Sequence, residues 1–152
     1  MIEISYNTVL DQKFKQTLLE DAVHATLKNQ SAPQKVSISI LLTDDEEIRA
    51  LNRQYRKVDS PTDVLSFDVH ERDPETGLVH LGEIAISIPY AAKQAKNNSH
   101  SLEAEVQLLI IHGVLHLLGH DHAEAKEKEK MWTAQHQILT ELGLGGIKIQ
   151  EI

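Results

Sequence analysis

Ile2, Ile4 and Tyr6 alternate with polar neighbours as a half-buried strand does, and Phe14, Leu18, Ala22 and Ala25 then recur at helical spacing within 11–28. Val36, Ile38, Ile40 and Leu42 alternate again. Thr43-Asp44-Asp45-Glu46 reads as a capping box that opens a second helix, with Ile48, Leu51 and Tyr55 at its inward positions. Two further strands, 63–67 and 81–88, flank a polar turn segment, Asp73-Pro74-Glu75-Thr76-Gly77. Pro89 suits the first turn of a short helix that ends near Lys96.

Ser101 is the expected N-cap of the next helix, where Glu103 and Glu105 face the positive end of the dipole and Gly119 can take the left-handed conformation that stops it. Apolar residues surround this helix, so it should be buried. The segment Asp121-His122-Ala123-Glu124 reads as the cap of a last helix with an outward charged run over 124–130, inward Met131, Gln135, Ile138 and Leu142, and an end at Gly143. The pattern contains no repeat and no linker. It predicts one α+β domain over 1–152, a mixed sheet of about four strands packed by about five helices, with the histidine-bearing helix at its centre.

Composition narrows the class. A chain of 152 residues that is 41% apolar can build a core without staples, which excludes a disordered reading. With no cysteine, disulfides and thiolate sites are ruled out, a reducing compartment fits, and any metal must be held by His, Asp or Glu. The longest near-apolar stretch, 106–118, is well short of the ~20 residues a membrane span needs and contains Gln107, His112 and His116. The first residues lack the basic and apolar regions of a signal peptide, so a cytoplasmic protein without a membrane partner is expected. A net charge of −8 argues against polyanion binding except through a local basic patch. Arg49, Arg53, Arg56 and Lys57 form the densest such stretch.

Four of the nine histidines fall between His112 and His122. Residues at i and i+4 share a helix face, so His112 and His116 can direct ring nitrogens at one metal ion. Gly119 lets the chain reverse, and His122 can return to the same ion from the turn. Three imidazoles with no fourth protein ligand leave the open position of a catalytic zinc centre, where bound water can reach a pKa of roughly 7. Imidazoles also suit nickel, copper or iron. His120 points along the turn and is expected to be exposed or to sit behind the ligands. A zinc-protease motif would place a glutamate after the first histidine as general base, but this chain has Gly113, which suggests close approach by backbone or substrate.

The stretch His112-Gly113-Val114-Leu115-His116-Leu117-Leu118-Gly119-His120-Asp121-His122 resembles the H-G-x-L-H-L-x-G-H-D-H motif of the YbeY family of bacterial rRNA maturation factors. Tyr55-Arg56-Lys57-Val58-Asp59-Ser60-Pro61-Thr62-Asp63-Val64-Leu65-Ser66-Phe67 is similar to the family's Y-R-x-x-D-x-P-T-D-V-L-S-F segment, and Leu81-Gly82-Glu83-Ile84 to its L-G-D-I strand. Asp68 stands where the family commonly has Pro, and Glu83 where it commonly has Asp; Asp68 is expected to alter only the turn after the strand. The resemblance implies a metal-dependent, single-strand-specific endoribonuclease acting in 16S rRNA 3′-end processing and ribosome quality control. It further implies zinc on His112, His116 and His122, with precursor rRNA and the small ribosomal subunit as partners and no DNA. Arg56 and His112 become the candidate catalytic residues, because a permanently charged planar donor can hold a phosphate and offset the charge that develops on it. Read from residues alone, Arg56 would instead form a surface ion pair with Asp59 or Asp63. Two other functions share the motif: a zinc hydrolase of peptide-like substrates, and a ribosome-associated binding factor whose metal is structural.

Overall fold

A computed structural model describes residues 1–33, 35–120 and 124–147 of the chain. The alternating segments form four strands, β1 (Ile2–Tyr6), β2 (Val36–Thr43), β3 (Val64–Arg72) and β4 (Val79–Ser87), in one sheet of order β1-β2-β4-β3. β1 pairs β2 and β2 pairs β4 in parallel, while β3 returns antiparallel to β4 through the Asp73–Gly77 turn, where Gly77 has φ 75°. The sheet is mixed, as the spacing of its connections requires. Among the described residues five helices accompany the sheet: α1 (Gln16–Asn29), α2 (Asp45–Arg56), α3 (Ile88–Asn97), α4 (Leu102–Leu117) and α5 (Ala125–Glu141).

The period of 2 along each strand sends Ile38, Ile40, Ile84 and Ile86 to one face, where they meet Val23 of α1, Ile110, Ile111 and Leu115 of α4 and Ile138 of α5 in the main core. Burial of each such side chain is worth about 1.5–3 kcal/mol, so α4, apolar all round, is the central pillar. On the opposite face α2 covers only part of the sheet, through a small cluster of Ile48, Leu65 and Ala85. The β1 and β2 side of that face, with Glu3, Ser5 and Ser39, stays open as one wall of a groove of about 1210 Å³.

Local details depart from the sequence reading where tertiary partners intervene. α1 starts at Gln16 rather than near residue 11: the Phe14 N–H is taken by the Tyr6 hydroxyl at 3.0 Å, and Lys15, the residue before the helix, is extended. The cap of α2 is Asp44, whose carboxylate accepts from Glu47 N at 3.0 Å, while Thr43 Oγ donates sideways to the Glu47 carboxylate. Tyr55 is 60% exposed instead of inward, because α2 has only a narrow strip of sheet to cover. β3 continues beyond Phe67 to Arg72 through an irregularity at His70 (φ 52°), so Asp68 lies within the strand and not in a turn. Glu105 sits in the first turn of α4, as the dipole argument expects, but it is also buried there and pairs with His100 Nε2 at 2.6 Å. Burial pushes its carboxyl up, and the His100 contact pulls it the other way. The expected cap at 121–123 lies outside the described residues, and α5 begins after Glu124. Among the described residues no helix is long and apolar enough to cross a membrane.

Candidate active site

α4 brings its histidines to the sheet because Gly113 permits close packing. A Cβ there would stand 3.0 Å from the Ile84 side chain of β4. Ser66 Oγ of β3 donates to the Gly113 carbonyl at 3.4 Å, which sets the histidine face of α4 beside β3. The close neighbour expected of this glycine is therefore Ile84, neither backbone nor substrate. A glutamate at 113 would be driven into the sheet, so the general base of a zinc peptidase has no place here.

One turn apart, His112 is buried and His116 half-buried. Their Nε2 atoms face each other at 3.1 Å, with ring centroids 4.6 Å apart. His112 Nδ1 lies 2.8 Å from Gln135 Oε1 of α5. An amide oxygen only accepts, so Nδ1 carries the proton and Nε2 presents its lone pair towards His116. Two imidazoles bound at ~2.0–2.1 Å to one tetrahedral ion hold their nitrogens about 3.3 Å apart, so the pair fits a shared metal. Gln135 supplies the orienting hydrogen bond that metal-bound histidines ordinarily have. Among the described residues no third His, Cys, Asp or Glu joins them; His122, the expected third ligand, lies outside the described residues.

The pair opens into a cleft of about 480 Å³ that Arg56, Asp63, Ser66, Asp68 and His120 also line. Arg56 is exposed, at the last turn of α2. The surface ion pair weighed for it goes to others. Asp59 receives Arg49 at 2.9 and 3.2 Å and Arg53 at 3.9 Å, which holds its carboxyl below the usual range. Asp63 accepts from Val64 N at 2.7 Å and from Gln94 at 3.1 Å. Burial pushes the Asp63 carboxyl above the ordinary carboxylate value, against the hydrogen bonds from Val64 N and the Thr62 hydroxyl. His120 is half-buried, with Nε2 2.6 Å from Oε1 of Gln30, the residue that caps the end of α1, and burial followed by Lys130 pushes its pKa down. It sits on the wall of the cleft and is turned towards α1.

Sequence reasoning brought His112, His116 and Arg56 to one place; it named Gln135, Asp63 and Asp68 but did not set them beside the histidine pair. The signal for Gln135 was available: a lone amide among the inward residues of α5. Glu83 is exposed on the floor of the groove, beside Ser39 of β2 and Phe67 of β3, so its extra methylene is felt in the groove and not in the histidine cleft.

An α+β sheet carrying a helix-borne histidine pair, with an arginine across a polar cleft, is the framework of a hydrolytic enzyme. The chain belongs to the endoribonuclease YbeY family, whose model matches residues 2–143. It is 41% identical over 137 residues to the endoribonuclease YbeY of Shouchella clausii, covering 84% of this chain and 86% of that protein. With the Halalkalibacterium halodurans protein of the same name the identity is 40% over 150 residues, 93% of this chain and 94% of the other. The solution structure of TM1509 from Thermotoga maritima superposes with a TM-score of 0.59 at 27% identity, covering 96% of this chain and 94% of that one.

Proposed function

We propose that this chain is a metal-dependent, single-strand-specific endoribonuclease acting in 16S rRNA 3′-end maturation and ribosome quality control. Family membership supports the endoribonuclease activity and its place in rRNA processing. Precursor rRNA is the substrate in this reading, the small ribosomal subunit its carrier, and the cytoplasm its location. One zinc ion is held by His112, His116 and His122.

The observation that carries the reading is the pair of Nε2 atoms facing each other at 3.1 Å in a cleft that Arg56 also lines. The metal, when bound, supplies Lewis acidity and a nucleophile available at neutral pH. Arg56 holds the scissile phosphate bidentately and offsets the charge that grows on its oxygens. Gln135 keeps His112 in the tautomer a ligand needs, and α4 fixes the spacing of the pair so that little reorganisation is required.

The test is single-turnover cleavage of a precursor rRNA fragment at matched zinc loading, with chelated protein and a fully duplexed fragment as comparisons. Cleavage of the single strand alone, abolished by chelator, is expected. Undiminished subunit binding by a wild-type protein that cleaves nothing would instead favour a binding factor.

A further inference from the structure

The histidine cleft does not end at Arg56. Arg56, Ser66 and Asp68 line both the cleft and the larger groove along the open face of the sheet, so the two form one continuous surface. Tyr55, which precedes Arg56 in α2, lines the groove with a side chain 60% exposed. Its ring packs edge-on against Phe67 of β3, with centroids 5.3 Å apart and planes at 62°. An exposed ring already held by a second ring loses little freedom when something stacks on it.

Groove charge says which part of a nucleic acid enters. Among the described lining residues Arg56 is the one Lys or Arg, while Glu3, Glu83 and Asp68 place carboxylates along the rest. Phosphates are repelled from that floor and accepted at the arginine end. Nucleobases suit it: their exocyclic amines donate to carboxylates, and single-stranded RNA is recognised chiefly by splayed bases stacked on aromatic rings.

We propose that Tyr55, braced by Phe67, is the stacking platform for the base next to the phosphate held by Arg56, and that the strand continues with its bases turned into the groove. This deepens the endoribonuclease reading and rests on it. Tyr55 is a positioning residue here, acting on binding more than on the chemical step.

The test uses the zinc-loaded chain and a short unstructured RNA whose cut has been mapped, with an abasic nucleotide placed in turn on each side of that cut. Base stacking on an aromatic side chain is worth ~1–3 kcal/mol, or about 5- to 150-fold. Tyr55→Ala should raise the half-saturating concentration by that factor in single-turnover cleavage while the saturated rate moves much less. Tyr55→Phe should recover most of the deficit. On one side of the cut the abasic RNA should bind the wild type as weakly as intact RNA binds Tyr55→Ala, and the two penalties should not add.

An unchanged half-saturating concentration in Tyr55→Ala, or an abasic penalty that persists undiminished in that variant, would overturn the platform, as would a groove that takes a protein segment and ignores abasic substitution. A wild-type chain that cleaves no RNA would count against the endoribonuclease reading instead. Binding of the intact strand to Tyr55→Trp would then decide the platform: quenching of the added emission supports it, and unquenched emission on saturation overturns it.

Discussion

Arg56 shows how little of a side chain's role is written in its local sequence. An arginine at the end of a helix, with Asp59 and Asp63 nearby in the chain, reads as half of a surface ion pair. The fold gives Asp59 to Arg49 and Asp63 to Gln94, and leaves the Arg56 guanidinium on the wall of the histidine cleft. An electrostatic interaction of this kind with a developing charge typically supplies ~2.7–4 kcal/mol, so Arg56→Ala should slow single-turnover cleavage by roughly two to three orders of magnitude. Arg56→Lys should also be impaired, because a point charge lacks the bidentate fork. Zinc content and melting temperature should hardly change in either variant; if the fall in activity tracked a fall in zinc content or unfolding, the phosphate-holding role would be refuted. The His112 and His116 pair was legible because helical periodicity alone sets i and i+4 on one face. Gln135 was legible as an inward amide of α5, but its pairing with His112 was not, and neither was the outward turn of Tyr55, since both depend on what packs where.

Strands and helices were found in the right order because alternation and helical spacing are strong along this chain; their ends were set by tertiary neighbours the pattern does not contain. Gly82 is one such place. Its φ is 156°, and a Cβ there would stand 2.1 Å from the Phe67 carbonyl oxygen and 2.7 Å from Leu117 Cδ2, so β3, β4 and α4 meet at this point only because no side chain intervenes. Gly82→Ala should destabilise the fold by about 3 kcal/mol or more in urea unfolding; near-normal stability would show that the strands have room to move apart. Asp63 ties the start of β3 to α3 through Gln94, and its buried carboxyl holds a proton more tightly folded than unfolded. Its contribution is therefore fully present below the ordinary value of 3.8 and is lost as pH rises through the raised folded value, above which it is flat. Relative to Asp63→Asn, the wild type should gain stability as pH is lowered from 7 through that window, measured by urea unfolding of both proteins. A difference constant with pH would contradict the burial argument.

For the molecule as a whole, a net charge of −8 must be reconciled with a polyanionic substrate. The basic stretch expected around α2 is partly neutralised, since Arg49 and Arg53 both lie against Asp59. Attraction to RNA should consequently be modest in its salt dependence and concentrated at the cleft mouth. Replacing Arg53 and Lys57 together should lower the slope of log affinity against log salt by at most about 0.7 for each phosphate that is no longer neutralised; an unchanged slope would place the strand away from α2. The central claim, that RNA is cut at a single metal centre built on His112, His116 and His122, is tested most directly by measuring zinc content and single-turnover cleavage on the same samples while zinc is restored stepwise to the chelated chain. Cleavage should rise in proportion to bound zinc and level off at one ion per chain, with His120→Ala on the same line and His122→Ala holding neither zinc nor activity. Full cleavage by the zinc-free chain, or loss of zinc from His120→Ala as severe as from His122→Ala, would contradict it.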